Sequence, residues 1–461
     1  MKFELDHNVN HIHLIGIGGI SMSGIAEILL KEGFQVSGSD VAATPITERL
    51  KAKGARIDFG HHGTLVEDAD LIVYSAAIKG DNPERVLGQK SNIPEIDRAK
   101  MLGKIMKSYP YAIAIAGSHG KTTTTSFISL LLEYSDLDPT IMVGGNLAEI
   151  GGNIKIGNSD YFVTEACEYY ESFLQFQPKI GVLLNIDKDH LDYFQDMDHI
   201  IRAFKGFAEL VPPEGHLIAF NDNEHIRGIL PDIHCQKVTY GLREDSDFTA
   251  ENVVYNDLAH PSFDLYYQGK NLGPITLQIP GMHNVYNALA AIATAFVLGI
   301  PLEDIQKNIT RFKGIHRRFD VLGKVKGATI VDDYAHHPAE IEATLEAVRN
   351  YKHRKVWCVF QPHTFSRTKA LLDDFSKAFA LADHVILADI YAAREKDDGV
   401  VSSESLLALM ENHPDTYYLK SFEEIRDFLY PRIQAEDIVL TMGAGDVYRI
   451  GEMLLDLNNR K

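Results

Sequence analysis

The chain has 461 residues, which is enough for about three domains at roughly 100–200 residues each. Its apolar fraction of 45% and charged fraction of 24% are typical of an ordinary soluble globular protein. The formal net charge of −19 argues against the broad basic surface that nucleic acids and anionic membranes require. We therefore expect neither as a partner, although local cations and backbone N–H groups can still hold small anions.

Several features predict a cytoplasmic location. Residues 1–7 contain no apolar core of a signal peptide, and no apolar run approaches the roughly 18–20 residues that span a bilayer. The three cysteines, Cys167, Cys235 and Cys358, are widely spaced, so they predict neither a disulfide framework nor a metal-binding pair. The sequence leaves the oligomeric state open between a monomer and a homodimer.

The first hundred residues alternate strands and helices, as a parallel α/β domain does. A buried strand is predicted at 11–15, a helix at 21–31, and further strands at 34–38 and 71–75. Gly33 ends the helix. These elements predict a Rossmann-like amino-terminal domain that ends near residue 107.

The remaining chain predicts two more α/β domains, with a boundary near residue 318. The elements predicted for the central domain are strands at 111–116, 161–164 and 180–184, a helix from about Thr122, short strands between 235 and 280, and a helix at 285–298. The strands predicted for the carboxyl-terminal domain lie at 328–331, 356–360, 384–387 and 437–440. The overall fold class is therefore α/β.

A first glycine run follows the first strand as Gly16-Ile17-Gly18-Gly19-Ile20-Ser21, and Asp40 ends the next strand. It stands where a dinucleotide fingerprint belongs, so its N–H groups and the helix that follows could bind a diphosphate. Ser21 occupies the third glycine position of that fingerprint. Binding of a nucleotide diphosphate and a tight structural turn both remain open.

A second glycine run, Gly117-Ser118-His119-Gly120-Lys121-Thr122, gives a stronger signal. A strand feeds it and a helix follows, so Lys121 could meet the β and γ phosphates of a nucleotide and Thr122 could bind Mg²⁺. A strict P-loop would also have glycine at position 115, where this chain has Ile115. The run nevertheless favours a triphosphate site over a structural turn.

Acidic and histidine residues follow several predicted strands. Glu165 and Glu168 end one strand, and His190 follows the next. Each alone is more often a solvated loop residue, but together they favour a second metal site, because the carboxyl ends of parallel strands converge. The runs 332–338 and 361–367 also follow strands; their histidines either cap helices or face the phosphate site across a cleft between domains.

The order of these motifs resembles that of one enzyme family over essentially the whole chain. The motifs are Gly16-Ile17-Gly18-Gly19 with Met22-Ser23-Gly24, the Gly-x-His-Gly-Lys-Thr-Thr loop at 117–123, Glu165-Ala166-Cys167-Glu168, 185–190, 281–287, Arg317-Arg318-Phe319, 332–338, Gln361-Pro362-His363 and 389–395. They resemble the Mur ligases of peptidoglycan precursor synthesis, most closely the branch that adds L-alanine to UDP-N-acetylmuramate.

This resemblance implies a UDP-sugar domain at 1–107, an ATP-binding domain of P-loop type at 108–318 and a Rossmann-like, amino-acid-binding domain at 319–461. The positions implied for the UDP-sugar are Gly16, Gly18, Gly19, Ser21, Met22, Ser23, Asp40 and Ser75. Those implied for ATP are Gly117, Ser118, His119, Gly120, Lys121, Thr122, Thr123, His283, Asn284, Asn287, Arg318 and Asp333. Those implied for the amino acid are His336 and Arg367.

The resemblance also implies a reaction of ATP, UDP-N-acetylmuramate and L-alanine through an acyl phosphate. Two Mg²⁺ ions are implied, the first at Thr122 and the second at Glu165 and His190. Lys121 would stabilise the transferring phosphoryl group, and either His190 or His336 would take the proton of the amine. The carboxyl-terminal domain would close over the site to exclude water from the acyl phosphate.

The chain departs from the family pattern at a few positions. Ser118 replaces a more usual threonine, and Thr364 and Lys369 stand where some relatives have arginine, which leaves Arg367 for the alanine carboxylate. Lys205 stands at the spacing at which sibling ligases carry a carbamylated lysine, so its carbamylation is a further hypothesis.

Three alternative functions remain. The first is a recycling ligase that adds a tripeptide to UDP-N-acetylmuramate, although the runs 361–363 and 389–395 favour the alanine-adding branch. The second is an NAD-dependent oxidoreductase, suggested by the first glycine run alone. The third is a P-loop regulatory ATPase that binds a partner protein.

Overall fold

Three β-sheets with helices between their strands make up the protein, as the α/β prediction required. The structure is a computed structural model that describes residues 5, 9–75, 77–191, 193–393, 395–397, 399–410, 413 and 415–459. Arg394 and most of residues 1–7, which were used above in predictions from the sequence, lie outside these ranges. Contacts group the described residues into two compact units, drawn from Met1–Ile186, Ile201–Thr239 and Ala290–Pro301 and from Asp187–Ile200, Tyr240–Leu289 and Leu302–Lys461. No helix within the described ranges is long and apolar enough to cross a membrane.

The amino-terminal sheet belongs to the first unit and is wholly parallel, in the order β3-β2-β1-β4-β5. Its elements are β1 His11–Ile15, α1 Ile20–Lys31, β2 Gln35–Asp40, α2 Pro45–Ala52, β3 Arg56–Phe59, β4 Leu71–Tyr74, α3 Pro83–Lys90, β5 Glu95–Asp97 and α4 Arg98–Met106. All five residues of β1 are buried. The strand order reverses at β1, so the loops after β1 and β4 flank the crevice where ligands bind in such sheets.

The central region supplies most of the second sheet. Its elements are β6 Tyr111–Ala116, α5 Lys121–Tyr134, β7 Thr140–Leu147, β8 Gly152–Lys155, β9 Tyr161–Ala166, β10 Ile180–Leu183, α6 Met197–Glu209, β11 His216–Phe220, α7 Glu224–Ile229 and β12 Gln236–Gly241, with 3₁₀ turns at Ala148–Ile150, Tyr169–Gln175 and Leu230–Asp232. In the first unit the strand order is β12-β11-β10-β6-β9-β7-β8. Because β6 lies between β10 and β9, the phosphate loop after β6 is flanked by the ends of two parallel strands.

An antiparallel meander in the second unit accounts for the short strands predicted at 235–280. Its strands are β13 Phe248–Tyr255, β14 Pro261–Tyr267 and β15 Lys270–Thr276, and β13 starts beside the last two residues of β12. The helices α8 Met282–Val297 and α9 Leu302–Ile309 follow. Helix α8 begins three residues before its predicted start, because the Asn284 side chain bonds Pro280 O at 2.7 Å and supports the first turn.

The third sheet belongs to the second unit and has the order β16-β17-β21-β18-β19-β20. Its elements are β16 Asp320–Val325, β17 Ala328–Asp333, α10 Pro338–Asn350, β18 Val356–Phe360, α11 Phe365–Ala370, α12 Leu372–Lys377, β19 His384–Leu387, α13 Ser403–Leu409, β20 Thr416–Tyr418, α14 Phe422–Leu429, β21 Ile438–Met442 and α15 Tyr448–Asn459. Only β16 among these strands pairs antiparallel with its neighbour. Successive β18 residues enter two cores, Cys358 and Phe360 one and Trp357 and Val359 the other, so helices cover both faces.

Candidate active site

The phosphate loop between β6 and α5 is built to receive an anion. Gly120 is the N-cap of α5 and has a φ of +82°, a left-handed conformation that glycine adopts at little cost. No side chain caps this helix, and no acidic residue stands in its first turn, which contains Thr122 and Thr123. The first N–H groups of α5 therefore point toward a site where phosphate oxygens can accept them.

Asn185 holds the phosphate loop in shape. Its side-chain oxygen accepts a hydrogen bond from His119 N at 2.8 Å, and its side-chain nitrogen donates to His119 O at 3.1 Å. Its backbone oxygen accepts from Ser118 N at 3.3 Å. The sequence placed Asn185 in a motif without giving it a role. The role was missed because the two segments are 66 residues apart in sequence.

Lys121 lies inside the cradle that its own loop forms. Its Nζ donates to Gly117 O at 2.5 Å and to Ser118 O at 3.1 Å, and it forms an ion pair with Glu168 at 2.9 Å. The side chains of Lys121 and Glu168 are 16% and 3% exposed. Glu168, weighed from the sequence as a possible metal ligand beside Glu165, is therefore the partner of the phosphate-loop lysine.

Glu165 lies near the end of β9 and faces a cavity. The N–H of Gly144 fixes one of its carboxylate oxygens at 2.5 Å. The cavity, of about 110 Å³, is also lined by Ser21, Arg98 and Cys167. A carboxylate so placed offers hard oxygen ligands to a magnesium ion. Thr122 belongs to the same unit as Glu165, whereas His190 belongs to the other unit.

The amino-terminal glycine turn is held by the end of β2. The N–H groups of Gly16 and Ile17 donate to Ser39 O, and Gly18 N donates to the Asp40 carboxylate at 2.7 Å. A Cβ at position 18 would lie 2.8 Å from that carboxylate, so only glycine fits this approach. Asp40 thus stabilises the turn itself.

Helix α1 begins at this turn with an open first turn. Its N-cap is Gly19, with no side-chain hydrogen bond, and Ser21 lines the 110 Å³ cavity. Met22 and Ser23 are only 2% and 0% exposed, so their side chains pack inside and shape the turn. Ser75 follows β4 and lies beside Gly16.

The start of α8 presents a linked set of polar side chains. Asn284 lies 3.1 Å from His283 Nε2, and Asn287 donates to Asn284 at 3.0 Å. Burial, with a smaller effect from Arg318, lowers the pKa of His283 to about 4. His283 is therefore neutral at physiological pH. Because the Asn284 amide nitrogen can only donate, His283 Nε2 accepts from it, which leaves the N–H at Nδ1 as the donor toward a ligand.

Arg318 and Asp333 lie at the start of the third region. The Asp333 carboxylate accepts hydrogen bonds from Phe319 N and Ala335 N, each at 2.8 Å, and its burial raises its pKa to about 6. The Arg318 guanidinium lies over the Tyr334 ring at 5.1 Å. The structure thus places these two residues and His283 in one unit.

A glycine turn at 443–446 was not predicted from the sequence. Arg317 donates to Asp332 at 2.9 Å and to Gly443 O at 2.8 Å. Asp446 N donates to the Gln361 side chain at 3.1 Å, which ties the turn to the end of β18. The sequence does contain a pattern that predicts this turn, since Gly-Ala-Gly-Asp directly follows the buried strand β21.

Asp189 and Arg367 form a largely buried ion pair in the second unit. Arg367 lies 3.4 Å from the Asp189 carboxylate and 3.3 Å from His363 Nδ1. Burial alone would raise the pKa of Asp189, but His190 and Arg367 hold it well below its usual range. Because a guanidinium only donates, His363 Nδ1 must be the acceptor, and burial lowers the pKa of His363 to about 4.

The paired histidines before α10 have different roles. His337 is the N-cap of α10: its Nδ1 accepts from Ala339 N at 3.3 Å, and its Nε2 donates to Lys188 O at 2.8 Å. For His337, the helix-capping alternative is therefore confirmed. His336 donates from Nδ1 to Tyr334 O at 3.0 Å, which leaves Nε2 as its acceptor nitrogen. Burial lowers the pKa of His336 to about 4.

His190 lies beside the ion pair of Asp189 and Arg367. Its backbone has a left-handed conformation, with a φ of +53°. Its Nε2 is 3.8 Å from the Asp189 carboxylate, and its carbonyl accepts from Tyr193 N at 2.9 Å. The second unit therefore brings His190, His336 and Arg367 around Asp189, all of which contribute to the pKa of that carboxyl.

Lys205 forms an ion pair with Asp232 at 2.6 Å. The hydrogen bond that the Lys205 ammonium donates to this carboxylate raises the pKa of Lys205. Carbamylation requires the neutral amine, so this arrangement argues against the carbamylation hypothesis.

The fold and these sites are those of an enzyme that handles a nucleotide in a three-part α/β framework. Three family models match the chain: "Mur ligase family, catalytic domain" at 11–110, "Mur ligase middle domain" at 115–295, and "Mur ligase, glutamate ligase domain" at 317–445. The chain belongs to the Mur ligase family, which confirms the resemblance seen in the sequence.

Relatives point to one branch of the family. The chain is 61% identical over 456 residues to the UDP-N-acetylmuramate–L-alanine ligase of Alkaliphilus metalliredigens, with 99% of both chains covered. It is 50% identical over 461 residues to the ligase of the same name from Caldanaerobacter subterraneus, with both chains fully covered.

Solved structures agree with this branch. The UDP-N-acetylmuramate–alanine ligase of Thermotoga maritima superposes with a TM-score of 0.82 at 27% identity, covering 98% of this chain and 99% of that one. A murein peptide ligase from Psychrobacter arcticus, with a TM-score of 0.71 at 24% identity, shares the fold. The relatives therefore favour the alanine-adding branch over the recycling branch.

Proposed function

We propose that this protein joins L-alanine to the lactyl carboxylate of UDP-N-acetylmuramate in the cytoplasm, with ATP converted to ADP and phosphate. One observation carries the proposal: Ser21 and Glu165 line the same cavity. Ser21 follows the first glycine turn, the expected diphosphate site. Glu165 lies three residues before Glu168, which pairs with Lys121 of the phosphate loop. A sugar nucleotide held at the first turn can therefore extend toward the nucleotide site. The relatives that bear this name over the full chain support the choice of alanine.

The reaction proceeds through an acyl phosphate, because a free carboxylate is a poor acyl donor. The γ-phosphoryl group moves from ATP to a carboxylate oxygen, and ADP leaves. The amine of alanine then bonds to the carbonyl carbon, phosphate leaves, and the nitrogen loses a proton. Both partners of the first step are anionic, so the site must supply positive charge.

Lys121 supplies that charge. In the structure its ammonium is surrounded by Gly117 O, Ser118 O and the Glu168 carboxylate. Nucleotide phosphates in the loop add anionic oxygens to this shell and draw the ammonium toward the γ-phosphoryl group. Glu168 fixes the position of the Lys121 ammonium before the nucleotide binds. The uncapped first turn of α5 binds the remaining phosphate oxygens.

We infer two magnesium sites, one at Thr122 and one at Glu165. The donor set fits: the first is the hydroxyl of a phosphate loop, and the second has a carboxylate oriented by Gly144 N–H. Magnesium bound there would reduce repulsion between the phosphate and carboxylate charges.

His283, Asn284, Asn287, Arg318 and Asp333 serve ATP in this proposal. The amides of α8 and the Nδ1–H of the neutral His283 imidazole offer hydrogen bonds to the adenine edge. Arg318 offers a cation to the phosphates, and Asp333 fixes the backbone from which Arg318 projects.

The amino acid binds at Arg367, whose guanidinium pairs with its carboxylate. The Asp189 carboxylate, 3.4 Å from Arg367, offers the opposite charge to the ammonium of the zwitterion. The ammonium loses one proton to become the attacking amine and a second when the C–N bond has formed. His336 is neutral at physiological pH, so its Nε2 can accept one of these protons, and solvent takes the other.

Product analysis tests this function against the recycling alternative. Protein, ATP, Mg²⁺ and UDP-N-acetylmuramate are incubated with L-alanine or with the tripeptide, and the sugar nucleotide is analysed by mass spectrometry. We expect its mass to rise by one alanine less water, with no tripeptide adduct. An adduct with the tripeptide and none with alanine would reassign the protein to the recycling branch.

A further inference from the structure

Two cavities in the first unit share Arg98. The smaller, of about 110 Å³, is the one lined by Ser21 and Glu165. The larger, of about 420 Å³, is lined by Tyr74, Lys79, Arg85 and other residues. Arg98 and Ser172 are the only residues that line both cavities as the structure describes them.

The guanidinium of Arg98 is uncommitted. Arg98 is the first residue of α4 and is half-buried, and among the described residues its side chain has no hydrogen-bond or ion-pair partner. Its neighbour Asp97 accepts instead from Lys100 N at 3.0 Å. Arg85, in contrast, is held by both oxygens of Glu95, at 2.6 and 3.0 Å. A half-buried cation without an anion at a cavity wall is a ready site for an anionic ligand.

The path of the substrate leads past this cation. With the diphosphate at the Gly16 turn, as the proposed function has it, the substrate lies beside the smaller cavity, which Ser21 lines, and its reacting carboxylate approaches Glu165 on the wall of that cavity. The smaller cavity, at about 110 Å³, has about a quarter of the volume of the larger one at about 420 Å³, so it suits the small lactyl group better than the hexose ring. The 420 Å³ cavity has room for the sugar.

The backbone of the larger cavity gives independent support for a ligand here. Tyr170 and Glu171 both line it, and both have a φ of +52°. Two consecutive side chains rarely adopt this left-handed conformation unless the surroundings hold them. Such strain concentrates at ligand sites.

We propose that Arg98 binds the lactyl carboxylate of the sugar nucleotide and thereby selects this substrate over UDP-sugars that lack the acid. The inference rests on the proposed function and assigns a binding role within it. The planar guanidinium pairs with both carboxylate oxygens, which fixes the acid before phosphoryl transfer. The diphosphate has its own donors at the first glycine turn, so it does not need this cation.

Equilibrium binding of two sugar nucleotides tests the assignment without turnover. UDP-N-acetylmuramate and UDP-N-acetylglucosamine, which lacks the lactyl group, are titrated by calorimetry into the wild type, Arg98→Gln and Arg98→Lys. We expect Arg98→Gln to weaken UDP-N-acetylmuramate by about tenfold or more, since a hydrogen bond to a charged group is lost. Binding of UDP-N-acetylglucosamine should stay within about twofold, and Arg98→Lys should keep part of the discrimination.

Lys100→Gln is the matched control, because Lys100 is an exposed cation on the same helix. It should change neither affinity. Equal weakening of both sugar nucleotides by Arg98→Gln, or weakening of neither, would overturn the assignment. Arg98→Lys keeps the test decisive if the glutamine variant fails to fold: it should still weaken UDP-N-acetylmuramate selectively, and equal or absent effects would again overturn the assignment. A wild type that binds neither compound would overturn the proposed function itself.

Discussion

Lys121→Ala is expected to lower kcat by about a thousandfold or more, because the site loses the cation that stabilises the transferring phosphoryl group. Binding of UDP-N-acetylmuramate should be retained, since the first glycine turn is unchanged. The measurement is phosphate release at saturating substrates, with binding of the sugar nucleotide followed by calorimetry. Near-normal turnover in the folded variant would remove Lys121 from the mechanism.

The ion pair with Glu168 complicates this variant and also supplies its control. Glu168 is 2% exposed, so loss of Lys121 leaves a buried charge without its cation, at a cost of about 3–5 kcal/mol in the free energy of unfolding. The double variant Lys121→Ala with Glu168→Gln should recover much of that stability in urea unfolding without recovering turnover. Recovery of both would mean that Lys121 acts only through folding.

Arg367→Ala is expected to lower kcat/KM for L-alanine by about 10²- to 10³-fold, because the carboxylate of the amino acid loses its partner and the buried Asp189 loses its guanidinium. The KM values for ATP and UDP-N-acetylmuramate should change little. The kcat/KM of Arg367→Lys for L-alanine should lie between those of the wild type and Arg367→Ala, since lysine keeps the charge but cannot form two parallel hydrogen bonds to a carboxylate. Steady-state kinetics with each substrate varied in turn measures these changes.

Lys369→Ala is the matched control for this prediction. Lys369 lies on the same helix as Arg367 and is exposed. Its removal should leave the KM for alanine unchanged. An equal loss in both variants, or an unchanged KM for alanine in Arg367→Ala, would place the carboxylate of the amino acid elsewhere.

The elements that position the site were largely predictable from the sequence. The strands at 11–15, 111–116, 356–360 and 384–387 were predicted with their observed bounds, because each is a buried run that a turn or helix signal ends. Helix α5 followed from the glycine run before Lys121. The strand ends then indicated where polar side chains would gather.

The partners of those side chains were not predictable, because they come from distant parts of the chain. Arg367 and Asp189 are 178 residues apart, and Arg317 and Gly443 are 126 apart. No local pattern encodes such pairs. Two cavities sharing Arg98 are likewise a property of packing.

Burial also separates residues that the family motif groups together. Met22 and Ser23 belong to the first glycine motif, yet their side chains are enclosed at 2% and 0% exposure. His337 caps a helix, while its neighbour His336 keeps an acceptor nitrogen. Spacing identified the segment, and only the structure assigned each side chain its contacts.

Phosphate release with each substrate omitted in turn tests the central claim most directly. Release from ATP should require both UDP-N-acetylmuramate and L-alanine, and omission of either should reduce it to background. Release from ATP alone, or with a protein partner in place of the amino acid, would contradict the ligase assignment and favour a regulatory ATPase. A nicotinamide absorbance change without phosphate release would instead favour an oxidoreductase.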